Sequence, residues 1–221
     1  MRTVIFDLDG TLADTALDML AAANACFRAL GHGDLLRGET DQGVGLRGGR
    51  AMLTLGLSRL GIAPEAGRLD ELYPLLLEHY RENIHVHSRF YPGVAEAVQR
   101  LRDGGYAVGI CTNKPEALAE RLMQSMGARD WFGALIGADT LPTRKPDPEP
   151  LFEAVRRCGG NIGQAVMIGD TVTDHQTARN ARVPSVLVGF GPGADKARAL
   201  MPDAMLEHYD DLDGVVASLI G

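Results

Sequence analysis

The sequence predicts a doubly wound, Rossmann-like parallel α/β sheet interrupted after its first strand by an α-helical insertion. Three observations carry this. Short, nearly continuous apolar runs recur at residues 3–7 (TVIFD), 106–111 (YAVGIC), 134–137 (ALIG), 165–168 (AVMI) and 184–188 (PSVLV), the pattern of strands covered on both faces. Helix-like stretches at 93–103, 115–126, 148–158 and 173–181 lie among them and give repeated strand, helix, strand units. Between the first and second runs, by contrast, helical periodicity prevails and no convincing strand precedes Pro92.

Taken in order, the first run ends abruptly in charge, with Asp7, Asp9 and Asp14 following a stretch that should be buried. The insertion then shows two stripes at helical spacing, Leu17, Leu20, Asn24, Phe27 and Leu69, Leu72, Leu76, Tyr80. They place a helical domain at residues 14–89 and leave 1–13 and 90–221 as the α/β core, with Pro92-Gly93 marking the return. Before the third run, Trp131 and Phe132 read as core anchors.

Composition narrows the function classes. The 221 residues are 45% hydrophobic with no low-complexity tract, as expected of a folded globular chain. A net charge of -7 lacks the basic stripe that holds phosphate backbones, so no nucleic-acid partner is expected. The opening MRTVIFD has no secretory pattern and no apolar run is long enough to span a bilayer; a cytoplasmic protein without a membrane partner is the expectation. Cys26, Cys111 and Cys158 are odd in number and widely spaced, which suits thiols in a reducing compartment.

Open α/β sheets bind ligands beyond the carboxyl ends of their strands, so the polar groups there are the informative ones. They are Asp7-Leu8-Asp9-Gly10-Thr11, Thr112-Asn113-Lys114, Lys145-Pro146-Asp147-Pro148, and Gly169-Asp170 with Asp174. Each alone has a plain explanation as a turn, a helix cap or a solvated loop cation. A calcium loop starting at Asp7 fails, because Leu12 and Asp18 stand where that loop needs Gly and Glu. Gly189, Gly191 and Gly193 are not spaced as a dinucleotide fingerprint, and His85 and His87 lack a nearby third metal ligand.

Together and in this order, DLDGT, CTN, the Lys of RKPDP and GDTVTD resemble the four motifs of the haloacid dehalogenase (HAD) superfamily of phosphohydrolases, and the insertion sits where that family carries a helical cap. The resemblance covers nearly the whole chain and looks most like the phosphoglycolate phosphatase branch. It implies a Mg2+-dependent phosphatase acting on a small-molecule phosphate ester. Asp7 would be the nucleophile that forms an aspartyl-phosphate, and Asp9 the group that protonates the leaving oxygen and later deprotonates water. Gly10 would let the backbone approach the phosphoryl group. Lys145 would add positive charge, and Thr112 and Asn113 would donate hydrogen bonds to phosphate oxygens. The same resemblance assigns Mg2+ to Asp7, the backbone carbonyl of Asp9, and Asp170, with Asp174 supporting through water.

Substrate selection is expected of the glycine-rich stretch GVGLRGGR, residues 43–50, with Arg47 first and Arg50 second as partners for a substrate carboxylate. Asp14 reads as a junction residue. An inorganic pyrophosphatase or a phosphosugar phosphatase of similar build is the nearest alternative. A phospho-accepting signalling receiver fits less well, because the insertion and Asp9 would have no task in it. A dehalogenase is disfavoured because Asp9 and the metal carboxylates would be surplus.

Overall fold

A computed structural model of the protein describes residues 1–45 and 48–221. In chain order the strands are β1 (Thr3–Phe6), β2 (Ala13–Asp14), β3 (Arg89–Phe90), β4 (Ala107–Cys111), β5 (Ala134–Ile136), β6 (Ala165–Gly169), β7 (Ser185–Val188) and β8 (Ala204–Leu206). The helices are α1 (Ala16–Ala29), α2 (Gly38–Gly45), α3 (Gly49–Arg59), α4 (Ala66–Glu82), α5 (Val94–Asp103), α6 (Glu116–Ser125), α7 (Glu149–Arg157), α8 (Val172–Ala181), α9 (Ala194–Ala199) and α10 (Leu212–Ile220). Two compact units result, Met1–Ala13 with Phe90–Gly221, and Asp14–Arg89.

The first unit is a six-stranded sheet of order β5-β4-β1-β6-β7-β8, and β2 pairs separately with β3. All pairings within the large sheet are parallel, and Thr3 of central β1 stands opposite Ala107 on β4 and Ala165 on β6. Every residue of β1, β4, β6 and β7 is buried, which is why these segments are apolar without alternation. Helix α7 shows how the layers close: Leu151, Ala154 and Val155, at helical spacing, pack with Ile5, Cys111 and Met167 of the sheet. Its opposite face keeps Glu153 paired with Arg156 and Arg157 in water, where such pairs add little stability.

The doubly wound sheet is present, and its strands begin and end within a residue of the apolar runs. β8 escaped the sequence reading because three residues, two half-buried and one buried, are too short to show a period; it forms by pairing Val186 with Ala204 at the sheet edge. Trp131 is a correction. Phe132 is a core residue, but Trp131 lies in a short 3-10 turn, half-exposed, with its ring stacked 5.3 Å from that of Phe90.

In the second unit, α1 buries Leu20, Asn24 and Phe27, and α4 buries Leu72, Leu76 and Tyr80. Asn24 can occupy an apolar stripe because its amide is satisfied by the backbone: Oδ1 accepts from Leu35 and Leu36, and Nδ2 donates to the Leu36 carbonyl. Asp18, noted in the sequence only as a misfit to a calcium loop, accepts hydrogen bonds from the N–H groups of Val86, His87 and Ser88 and from the Ser88 hydroxyl. It ties α1 to residues 86–88. Asp41 on α2 takes both Arg59 Nη1 (2.7 Å) and Nη2 (2.8 Å) from α3, together with the Arg37 N–H.

Most of the glycine-rich stretch is helical rather than an open turn: residues 43–45 close α2, and Gly49 and Arg50 open α3. A Cβ on Gly45 would come within 2.7 Å of Met52 Cε, and one on Gly49 within 2.8 Å of Leu76 Cδ2, so these glycines serve helix packing. Asp14 accepts a hydrogen bond from Ala16 N at the start of α1. Among the described residues, no helix is long and apolar enough to cross a membrane.

Candidate active site

The carboxyl ends of β1, β4 and β6 bring the acidic and basic groups together. Asp7 follows β1 and hydrogen-bonds through its N–H to Ile168 O on β6 (2.8 Å), which fixes the backbone from which its carboxylate projects. Gly10 then takes φ 83, a left-handed conformation that a side chain would strain, and its N–H closes a tight turn onto Ala13 O. Across β6, Gly169 leaves room for Asp174: an added Cβ would meet Asp174 Cβ at 2.3 Å. Asp174 lies in the first turn of α8 and its Oδ2 accepts from the Thr171 N–H (3.0 Å) and hydroxyl (2.7 Å).

Lys145 is the pivot. Its Nζ donates to Asp174 Oδ1 at 2.6 Å and lies 2.9 Å from Asp7 Oδ1. All three side chains are buried, so the pairing compensates charges that water cannot reach. Asp170, also buried, has one oxygen held by the Thr11 hydroxyl (3.3 Å), while its Oδ2 has no hydrogen-bond partner among the described residues. Asp7, Asp170 and Asp174 each offer an oxygen within 4.8 Å of the others, and these are hard donors of the kind that divalent cations take.

The electrostatics follow from burial. Desolvation pushes the Asp7 carboxyl up to about 6 and the negative charge of Asp174 adds to this, while Lys145 opposes it. Burial likewise raises Asp170 well above the usual carboxylate range, with Asp174 and Asp7 adding to it. Burial alone would lower the Lys145 pKa; Asp174 and Asp7 reverse that and hold it firmly protonated. Counting Asp7, Asp9, Asp170 and Asp174 against Lys114 and Lys145, the cluster holds two more anions than cations when fully ionised. A divalent cation matches that excess.

The sequence-predicted residues divide into groups. Asp7, Lys145, Asp170 and Asp174 converge as described. Asp9 points to a second cation, Lys114, whose Nζ donates to both carboxylate oxygens at 2.7 and 2.9 Å. Thr112 is buried and its Oγ1 accepts from Lys114 N (3.2 Å). The Asn113 amide donates to Lys145 O (3.0 Å), supporting the loop that carries that lysine. Arg50 pairs with Asp70 (2.6 Å) and lies over the Tyr73 ring; Arg47 lies outside the described residues.

Sequence reasoning gave no task to Lys114, Thr11 or Tyr209. Tyr209 is buried and its hydroxyl donates to Thr11 O (2.9 Å), bracing the Asp7 loop. Lys114 carried a local signal, being a cation against the end of an apolar strand; Tyr209 carried none, since its partner lies 198 residues away.

Residues 4–188 match the family model of haloacid dehalogenase-like hydrolases. A phosphoglycolate phosphatase of Mesorhizobium japonicum is 40% identical over 209 residues, spanning 95% of this chain and 92% of its own. A phosphoglycolate phosphatase of Agrobacterium fabrum is 36% identical, spanning 93% and 88%. In fold, the crystal structure of a predicted phosphoglycolate phosphatase from Haemophilus somnus superposes with a TM-score of 0.79 at 21% identity, covering 97% of each chain.

Proposed function

The chain belongs to the haloacid dehalogenase-like hydrolases, and from that premise we propose that it hydrolyses phosphoglycolate through an aspartyl-phosphate on Asp7. The observation that carries this is a buried carboxylate, Asp7, set against a permanently charged Lys145 and an orphaned Asp170 oxygen. Such a group lacks the hydration that blunts a nucleophile, and the lysine can steady charge on an incoming phosphoryl group.

In the proposed sequence an Asp7 oxygen bonds to phosphorus as the ester P–O bond breaks, and Asp9 gives its proton to the departing oxygen. Water then attacks the same phosphorus while Asp9 takes its proton; the Asp7–phosphorus bond breaks and phosphate leaves. Thr112 uses its hydroxyl hydrogen on a phosphoryl oxygen, and Asn113 uses the amide hydrogen not donated to Lys145 O. The donor set fits Mg2+, which Asp7, Asp170 and the Asp9 carbonyl would hold, Asp174 assisting through water; bound there, it supplies the positive charge that lets two anions meet. Arg47 is assigned to the carboxylate that distinguishes phosphoglycolate from a neutral ester.

The test is phosphate release from phosphoglycolate, pyrophosphate and neutral phosphosugars, with Mg2+ and after chelation. The reading expects the highest kcat/KM on phosphoglycolate, activity lost with the metal, and a selective loss on that substrate in Arg47→Ala. Preference for pyrophosphate or a phosphosugar would move the chain to the corresponding branch, and full activity after exhaustive chelation would overturn the metal assignment.

A further inference from the structure

We infer that Lys114 is a positioning residue that holds the Asp9 carboxylate in place for proton transfer, an inference resting on the phosphatase reading above. Lys114 has 2% side-chain exposure, against 21% for Asp9. A buried ammonium is costly unless its charge and hydrogens are used, and here two of its hydrogens meet both Asp9 oxygens, at 2.7 and 2.9 Å. A carboxylate gripped through both oxygens is held against rotation about its last bond and against swinging away, which fixes the directions of its lone pairs outside the grip.

The anchor is itself fixed. Lys114 N donates to Thr112 Oγ1 (3.2 Å), and Lys114 O accepts from Ala138 N (3.0 Å) beyond β5. Pro115 restricts the Lys114 backbone further and opens α6. Three consecutive residues after β4 thus divide the work: Thr112 caps the Lys114 N–H, Asn113 supports the Lys145 loop, and Lys114 supports Asp9. Lys114 stays an ammonium throughout. The proton that leaves with the alcohol comes from Asp9 as the ester bond breaks, and the water proton returns to Asp9 as the Asp7–phosphorus bond breaks.

Leaving groups separate positioning from scaffolding. An alkyl phosphate such as phosphoglycolate needs a proton from Asp9 as it departs, whereas para-nitrophenolate leaves without one. First-turnover leaving-group release is measured for wild type, Lys114→Met and Lys114→Gln on both esters with saturating Mg2+. Circular dichroism and thermal melting select the variant that folds. The expected result is a roughly 10²-fold slower first turnover on phosphoglycolate in the folded variant, with KM nearly unchanged. On para-nitrophenyl phosphate, first release stays within about threefold of wild type but is followed by a slow steady state, because water activation still needs Asp9. Equal losses on both esters in the first turnover, or no loss on either, overturn the positioning role. A wild type that turns over neither ester overturns the phosphatase reading itself, and this inference with it.

Discussion

Lys145 Nζ and Asp174 Oδ1 lie 2.6 Å apart with side chains 2% and 1% exposed. The lysine therefore answers to a carboxylate that reaches it from the first turn of α8, as well as to Asp7 at 2.9 Å. Removing its charge while keeping its bulk, as in Lys145→Met, leaves Asp7, Asp170 and Asp174 buried without their ammonium. Activity is expected to fall by at least roughly 10²-fold, as when an electrostatic stabiliser is lost. Breaking a buried pair should also cost roughly 3–5 kcal/mol of stability, part of it recovered by Mg2+ binding to the folded form. Urea unfolding with and without Mg2+ checks this; unchanged stability and turnover would show that the lysine is not the cluster's counter-charge.

The Asp7 carboxyl, raised from 3.8 to about 6 mainly by burial, predicts how protons and metal compete. Because the folded-state value lies above the unfolded one, the metal-free protein is destabilised by this group as pH rises from about 4 through about 6. Mg2+ needs the ionised form, so binding below about pH 6 should release close to one proton from Asp7. Isothermal titration calorimetry in buffers of different ionisation enthalpy reads this directly. Affinity should climb with pH through about 6, and Asp170, raised in the same direction by burial, should add to that climb; a pH-independent affinity with no proton release would contradict it.

The Asp41–Arg59 pair supplies the opposite sign. Hydrogen bonds from Arg59, with help from Arg37 N–H and Thr40, hold Asp41 at about 2, below its ordinary 3.8. Its contribution is present above pH 3.8 and is lost as pH falls through about 2. Asp41→Asn should cost about 1.5–3 kcal/mol at neutral pH, the range for hydrogen bonds to charged groups. In denaturant melts at decreasing pH the gap between variant and wild type should close across that window; a constant gap would place the effect in packing.

What the sequence discloses and what it withholds divide along physical lines. The apolar runs around Val4, Ile110 and Ile168 report burial on both faces, a property of each segment by itself, so the sheet is legible. Asp7, Lys145 and Asp170 are legible only together, as four motifs in one order beyond the ends of buried strands, since each alone reads equally as a turn, a cap or a loop cation. The Asp18 cradle at 86–88, the Lys114 grip on Asp9 and the Tyr209 brace on Thr11 are not. Each joins residues far apart in the chain, and nothing in the sequence pairs them until the fold sets them side by side. The packing role of the glycines at 45 and 49 is hidden for a related reason, since tight helix contact and close approach to a ligand leave the same composition.

The central claim is that Asp7 forms a covalent bond to phosphorus. The most direct measurement is an acid-quenched first turnover with para-nitrophenyl phosphate, whose leaving group needs no proton, and Mg2+, using Asp9→Asn to slow the second step, followed by peptide mapping by mass spectrometry. The account predicts a hydroxylamine-sensitive phosphoryl group on the peptide bearing Asp7, absent from the Asp7→Asn protein, whose turnover should also vanish. Phosphate release at the wild-type rate from Asp7→Asn, or a phosphoryl group mapped to any other residue, would contradict it.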